Sequence, residues 1–421
     1  MGCPNLCGLL EAVVGGMPMS QLVLSVAGDR VVRPGCMQIC DKESSSMTRN
    51  PLQELVGHGQ SVWLDYLSRD LVRSGQLEEM VENDGVGGIT SNPSIFHTAI
   101  SGSDTYDQEI AALAASGLGD ESIFEKLAVG DIQAACDILL RVYEASRGQD
   151  GFVSLEVSPH LAHDTEGTVA AAHRLASDVD RSNLLIKVPA TKEGLPAIEE
   201  LLTEGVNVNI TLIFARSVYR AVVRAYLCAL EARLARGERV DVISSVASTF
   251  VSRIDTAVDA QLVAIAEDHP QQADEARALL GKAALANSKA VYRDFEALFG
   301  SDRFQRLAMH GARCQRPLWA STSTKNPAYA ETLYVDELVG SNTVNTMPES
   351  TMSAFRDQGE VQETVGADHD FWASVLERLE GLGIDLDSVM EDLEADGVGK
   401  FVDSYDALLS DLGVKAAAFR A

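Results

Sequence analysis

Eight short apolar, β-branched runs recur along the chain, and each is followed by a stretch of helical periodicity. They fall at 61–67, 87–91, 152–157, 183–188, 207–214, 240–246, 317–321 and 343–346. Strand-like runs alternating with amphipathic helices indicate parallel strands joined by crossover helices. Near-continuous hydrophobicity suits strands covered on both faces. Eight such units predict an α/β fold of the TIM (β/α)8 barrel type.

The helical patterns are clearest at 165–177, 193–204 and 216–236. Asp164 offers an N-cap to the first, and Arg236-Gly237 a stop to the last. The gaps after the second and sixth runs are long and carry extra helical patterns, at 121–147 and 271–299, so they read as helical insertions. An acidic helical tail follows the eighth run, with Phe401, Tyr405, Leu408 and Leu409 spaced to bury one face. The barrel domain is therefore placed at 47–421. Residues 1–46 read as an N-terminal extension that is disordered or absent from the mature chain, with Met47 as an alternative start. A transit peptide is a further reading, although the segment is poor in Arg. The extension holds four of the seven Cys, paired as Cys3-x3-Cys7 and Cys36-x3-Cys40. That spacing permits a tetrathiolate metal site, but no His or basic framework accompanies it, and no metal is expected. The other three, Cys136, Cys228 and Cys314, stand singly and read as reduced thiols.

Of 421 residues, 46% are apolar, which suits a large core, and no stretch is long and apolar enough to predict a membrane-spanning helix. The 62 acidic residues outnumber 34 basic ones, giving a net charge of −28. Such a chain repels phosphate backbones, so no nucleic-acid partner is expected. A small anionic substrate requires a few Arg or Lys focused in one pocket.

In a TIM barrel the chemistry sits at the C-terminal ends of the strands. Polar groups interrupt the runs there. Asp65 lies in the first; Thr90, Ser91 and Asn92 end the second; Glu156 lies in the third and Lys187 in the fourth. Asn209 and Thr211 lie in the fifth. Ser245 and Ser248 follow the sixth, and Ser321, Ser323 and Lys325 follow the seventh. Lys187, in LLIKVP, is the most informative. Burying an ammonium is costly unless it is paired or neutralised, and burial favours the neutral, nucleophilic amine. The alternative is a structural ion pair with Glu156 on the neighbouring strand, or a side chain reaching to the rim. Asp65 and Glu156 read either as a general acid/base pair around the lysine or as buried carboxylates accepting backbone donors.

The segments GGITSNPSIF (87–96), LIKVPATKEG (185–194), NVNITLIF (207–214) and KNPAYAETLYVDELVGSNTVNTMP (325–348) resemble the transaldolase family in its longer bacterial and plant-type branch. The resemblance runs in order from about residue 51 to the C-terminus. It implies a class I aldolase that moves a dihydroxyacetone unit from sedoheptulose 7-phosphate to glyceraldehyde 3-phosphate, giving erythrose 4-phosphate and fructose 6-phosphate. It places the Schiff-base lysine on Lys187, the first-strand aspartate on Asp65, the third-strand glutamate on Glu156 and the fifth-strand threonine on Thr211. Substrate contacts fall on Thr90, Asn92, Asn209, Ser248, Arg253, Ser321 and Lys325, with Arg253 of the S-x-F-V-x-R block as a phosphate ligand. One departure stands out. Shorter members carry a phosphate-binding arginine after the seventh strand, where this chain reads ASTSTKN, so that Lys325 would act there as a point charge. Neither metal nor organic cofactor is implied. The expected partners are phosphorylated sugars in the cytoplasm, or in a plastid if the extension is a transit peptide, and a helical exterior would allow a homodimer. The rivals are a fructose 6-phosphate aldolase, whose shorter chains replace the acid/base groups by glutamine and tyrosine, and a barrel that has become a scaffold. The retained set Asp65, Asn92, Glu156, Lys187 and Thr211 argues against the scaffold.

Overall fold

In the computed structural model, eight parallel strands close into a barrel in chain order, with β1 hydrogen-bonded to both β2 and β8. The structure describes residues 50–420, which belong to one unit, Arg49–Ala421. The readings placed on the N-terminal extension and its cysteines lie outside the described residues. The strands are β1 Gln60–Leu64, β2 Val86–Ile89, β3 Phe152–Glu156, β4 Leu184–Pro189, β5 Val208–Ile213, β6 Ser245–Phe250, β7 Arg316–Ala320 and β8 Thr343–Met347. All their residues are buried except Glu156 and Arg316, which are partly so. The reason is architectural: side chains pointing inward fill the barrel, and those pointing outward pack under the helices. Gly88 shows how tight the inner packing is, since a Cβ there would lie 2.4 Å from the Trp63 ring.

Seven strands lie within a few residues of the expected runs, and the sixth does not. Residues 240–244 form a turn, with Ile243 N donating to Val240 O and Asp241 paired to Arg239. The strand is the following Ser-Val-Ala-Ser-Thr-Phe, whose polar composition resembles a loop. Two of its hydroxyls are satisfied inside the barrel, Ser245 Oγ donating to Val208 O and Ser248 Oγ to Asn209 Oδ1, while Thr249 Oγ1 is buried without a hydrogen-bond partner among the described residues. Ser245 therefore opens β6 and Ser248 lies within it.

The helices begin and end where local chemistry dictates. Asn92 caps the helix Pro93–Ser101 by accepting from Ile95 N, with Pro93 in the first turn. Asp164 caps Thr165–Val179 through Gly167 N, and Gly237, at φ +73°, follows the end of Arg216–Ala235. The first insertion contributes Asp120–Ala145. The second, with its helical pattern over 271–299, forms two helices there, Ala273–Leu279 and Ala283–Phe299, separated at Gly281 with φ +70°. The tail holds three helices, Glu349–Gln358, His369–Gly381 and the long C-terminal helix Leu386–Arg420, the last of which buries Phe401, Tyr405, Leu408 and Leu412. A side-chain contact between His97 and Asp411 (2.7 Å) and an ion pair between Lys415 and Asp107 (2.6 Å) fasten the far end of this last helix to the helices Pro93–Ser101 and Asp107–Ala115. Among the described residues no helix is long and apolar enough to cross a membrane.

Candidate active site

A cavity of about 590 Å³ opens at the C-terminal ends of the strands. Asp65, Thr90, Asn92, Lys187, Thr211, Ser248, Arg253, Ser321, Ser323 and Lys325 all line it. Groups scattered over 260 residues of sequence are thus brought to one wall by barrel closure.

Lys187 sits near the end of β4 and is 5% exposed. Its Nζ donates to Ser91 O at 3.1 Å and lies 3.6 Å from Glu156 Oε2, within ion-pair range but beyond a hydrogen bond. The β3–β4 register, with Glu156 opposite Lys187, dictates this neighbourhood. The two sequence readings of Lys187 therefore coexist: it has a carboxylate partner, and it opens on the cavity. Burial pushes the Glu156 carboxyl up to about 7; Lys187 pulls it down and the charge of Asp65 adds to the rise. Glu156 Oε2 and Thr211 Oγ1 are both buried with no hydrogen-bond partner among the described residues. Glu156 stands behind the lysine rather than on the cavity wall.

Asp65 follows β1 directly, its backbone N–H held by Met347 O. Its Oδ1 accepts from Thr90 Oγ1 at 2.6 Å, and Thr90 Oγ1 lies 2.7 Å from Thr346 Oγ1. Since Thr90 gives its single proton to Asp65, Thr346 must donate to Thr90. This relay fixes the carboxylate beside the cavity. Asn92 spends its Oδ1 on the helix cap, so its contribution to a ligand is the amide N–H2.

Arg253, in the first turn of the helix Ser252–Asp268, makes no ion pair among the described residues. Its guanidinium lies 5.3 Å from the Phe250 ring centroid, and Nη1 is buried without a partner. Burial pulls its pKa down, and Asp396 opposes the shift. Ser321, at φ +57°, shares a hydroxyl contact of 2.9 Å with Ser252, and Lys325 Nζ donates to Ser323 Oγ at 2.7 Å. Asn209 is placed differently. It is fully buried beneath the cavity, donating to Ser154 Oγ and accepting from Ser248 Oγ, and it does not line the wall.

Sequence reasoning missed the contribution of the C-terminal helix. Lys400, Phe401, Asp403 and Ser404 line the cavity, with the Phe401 ring centroid 5.4 Å from Lys187 Nζ. Gly397 lets the helix approach, because a Cβ there would lie 2.9 Å from Leu212 Cδ2. Amphipathic spacing reveals a buried face but not that this face closes a barrel mouth.

Residues 62–412 match the family described as transaldolase/fructose-6-phosphate aldolase. The chain is 48% identical over 363 residues to the transaldolase of Parafrankia sp. (strain EAN1pec), covering 86% of this chain and 97% of that one. The transaldolase of Mycolicibacterium smegmatis is also 48% identical, covering 86% and 97%, and that of Thermobifida fusca 48% identical, covering 88% and 99%. With an eight-stranded parallel barrel, a buried lysine on its fourth strand and these relatives along nearly their whole length, the chain belongs to the transaldolase/fructose-6-phosphate aldolase family.

Proposed function

We propose that the chain catalyses the transaldolase reaction, moving a dihydroxyacetone unit from sedoheptulose 7-phosphate to glyceraldehyde 3-phosphate through a Schiff base on Lys187. The observation that carries this is Lys187 itself: an amine 5% exposed, opening on a polar cavity with Glu156 Oε2 3.6 Å behind it. The low exposure and the carbonyl of Ser91 hold the amine in one place, where it attacks C2 of the donor ketose. Glu156, with Thr211 beside it, carries protons as the carbinolamine forms and loses water. Asp65 takes the C4 hydroxyl proton, the C3–C4 bond breaks, and its electron pair moves into the imine as the aldose leaves. The resulting enamine attacks the aldehyde carbon of the acceptor, Asp65 returns its proton, and hydrolysis frees the new ketose.

Asn92 and Thr90 hold the three-carbon fragment, with Ser248 beside them. Arg253 takes the phosphate, joined by Ser321 and by Lys325 as a point charge. Asn209 supports this set from below by fixing Ser248. Phosphorylated sugars as substrates, a cytoplasmic place of action and a homodimer belong to the same reading.

Borohydride trapping with fructose 6-phosphate, followed by peptide mass mapping, tests it. The expected result is a three-carbon adduct on Lys187. Folded protein with no adduct on any lysine at saturating donor would overturn the reading. A coupled assay with and without acceptor aldose separates transfer from simple aldol cleavage.

A further inference from the structure

At the opposite, N-terminal mouth of the barrel lies a second cavity of about 390 Å³. Its lining comes from the first residues of several strands, including Phe152 of β3, Ser245 of β6 and Arg316 of β7. Among the described residues three arginines line it, Arg147, Arg313 and Arg316, and no aspartate or glutamate does. In a chain with 62 acidic and 34 basic residues, that composition is the reverse of the overall balance. The charges are also weakly compensated. Arg147 and Arg313 make no ion pair among the described residues, and Arg316 has only Asp150, at 3.5 Å. Cys314 on the same wall adds no negative charge, because burial raises its pKa.

The guanidinium groups of Arg313 and Arg316 are placed rather than loose. Arg313 donates from Nη1 to Ser244 Oγ at 3.0 Å and from Nη2 to Arg147 O at 2.8 Å, and a Cβ on Gly148 would lie 3.2 Å from both nitrogens. Arg316 Nη1 donates to Ser61 Oγ at 2.6 Å. Each keeps further N–H groups for a ligand. The loop that carries Arg147 is strained, with Arg147 at φ +55°, a conformation that favours glycine. Strain of this kind concentrates at ligand clamps.

We propose that this cavity is a second binding site, distinct from the one around Lys187, for a small molecule bearing a phosphate group. Tetrahedral oxyanions match the forked donors of two fixed arginines, and the volume admits a phosphate with a short carbon chain. The N-terminal face of a TIM barrel ordinarily serves stability alone, so a charged cavity there stands apart from the chemistry at the other end.

Calorimetric titration of the full chain with inorganic phosphate tests the proposal. The Arg253→Gln variant isolates the second site from the first, whether or not Lys187 forms a Schiff base. The expected result is one phosphate retained by Arg253→Gln, its affinity cut about tenfold or more by adding Arg147→Glu or Arg313→Gln. Arg147 is exposed and its side chain is unpartnered among the described residues, so its replacement leaves the fold intact. Repeating the titration with glycerol 3-phosphate distinguishes the free ion from a phosphate ester as the natural ligand: whichever binds more tightly identifies it. Loss of all phosphate binding in Arg253→Gln alone would overturn the proposal. So would an unchanged second-site affinity in both Arg147→Glu and Arg313→Gln.

Discussion

The ring of Phe401, from the C-terminal helix, faces the ammonium group of Lys187, from the fourth strand, with 5.4 Å between Nζ and the ring centroid. Two segments more than 200 residues apart meet over the proposed nucleophile. Phe401 also walls the same small internal gap as Glu156. One side chain thus keeps water from both partners of the Lys187–Glu156 pair, and so sustains the burial that raises the glutamate.

Replacing Phe401 by Ala is therefore expected to act on chemistry before stability. Loss of the cation–π contact and of the apolar cover should slow borohydride trapping at Lys187 by roughly tenfold. The inflection set by Glu156 should also move from about 7 toward the ordinary carboxylate range. Phe419 lies on the same helix but is 42% exposed, and Phe419→Ala should change neither. Equal effects from both substitutions would make the helix merely a structural brace.

Asp65 is held by the Thr90–Thr346 hydroxyl relay and is assigned the proton of the C4 hydroxyl. Asp65→Asn keeps the shape and one hydrogen bond but cannot take a proton. Turnover should fall roughly 10²–10⁴-fold, the usual worth of a positioned base. The three-carbon precursor step, imine formation with intact donor, should persist and be visible as a trapped six-carbon adduct. Wild-type turnover by this variant would remove Asp65 from the mechanism.

Much of this site was legible because barrel strands are apolar on both faces, so a polar residue in one is conspicuous. Asp65, Lys187 and Thr211 stood out for that reason, and all three line the cavity. Asn209 stood out equally, yet its amide is consumed by Ser154 and Ser248: a polar group in a strand needs a partner, and that partner need not be a ligand. The sixth strand was misplaced because its serine hydroxyls, satisfied inside the barrel, look like loop chemistry. The part played by Phe401 was hidden, since spacing along a helix says which face is buried and not what lies under it.

Glu156 ties stability to pH in a direction that can be measured. Its folded pKa of about 7 lies above the ordinary 4.5, so the folded chain holds this proton more tightly than the unfolded one. The stability it contributes is fully present below about 4.5 and is lost as pH rises to about 7. Glu156→Gln mimics the protonated form throughout. The melting temperatures of variant and wild type should nearly coincide at pH 4.5. The variant should then gain on wild type up to pH 7 and keep a constant lead above it. A lead that shrinks with rising pH would mean that the ion pair with Lys187 outweighs burial.

Among the described residues Arg253 is the only arginine that lines the cavity, and its Nη1 is buried without a hydrogen-bond partner there. A charge-assisted hydrogen bond to a phosphate is worth about 1.5–3 kcal/mol, or roughly 10- to 100-fold in affinity. Arg253→Ala should raise KM for fructose 6-phosphate by that factor while leaving the much weaker use of unphosphorylated fructose nearly unchanged. Lys325 is exposed and already donates to Ser323, so Lys325→Ala should cost less, about threefold or under. Steady-state kinetics on both sugars reads the two effects separately. If Lys325→Ala proved the more damaging, the phosphate would lie toward the seventh strand. Arg253 would then serve mainly to carry positive charge beneath the C-terminal helix, against Asp396.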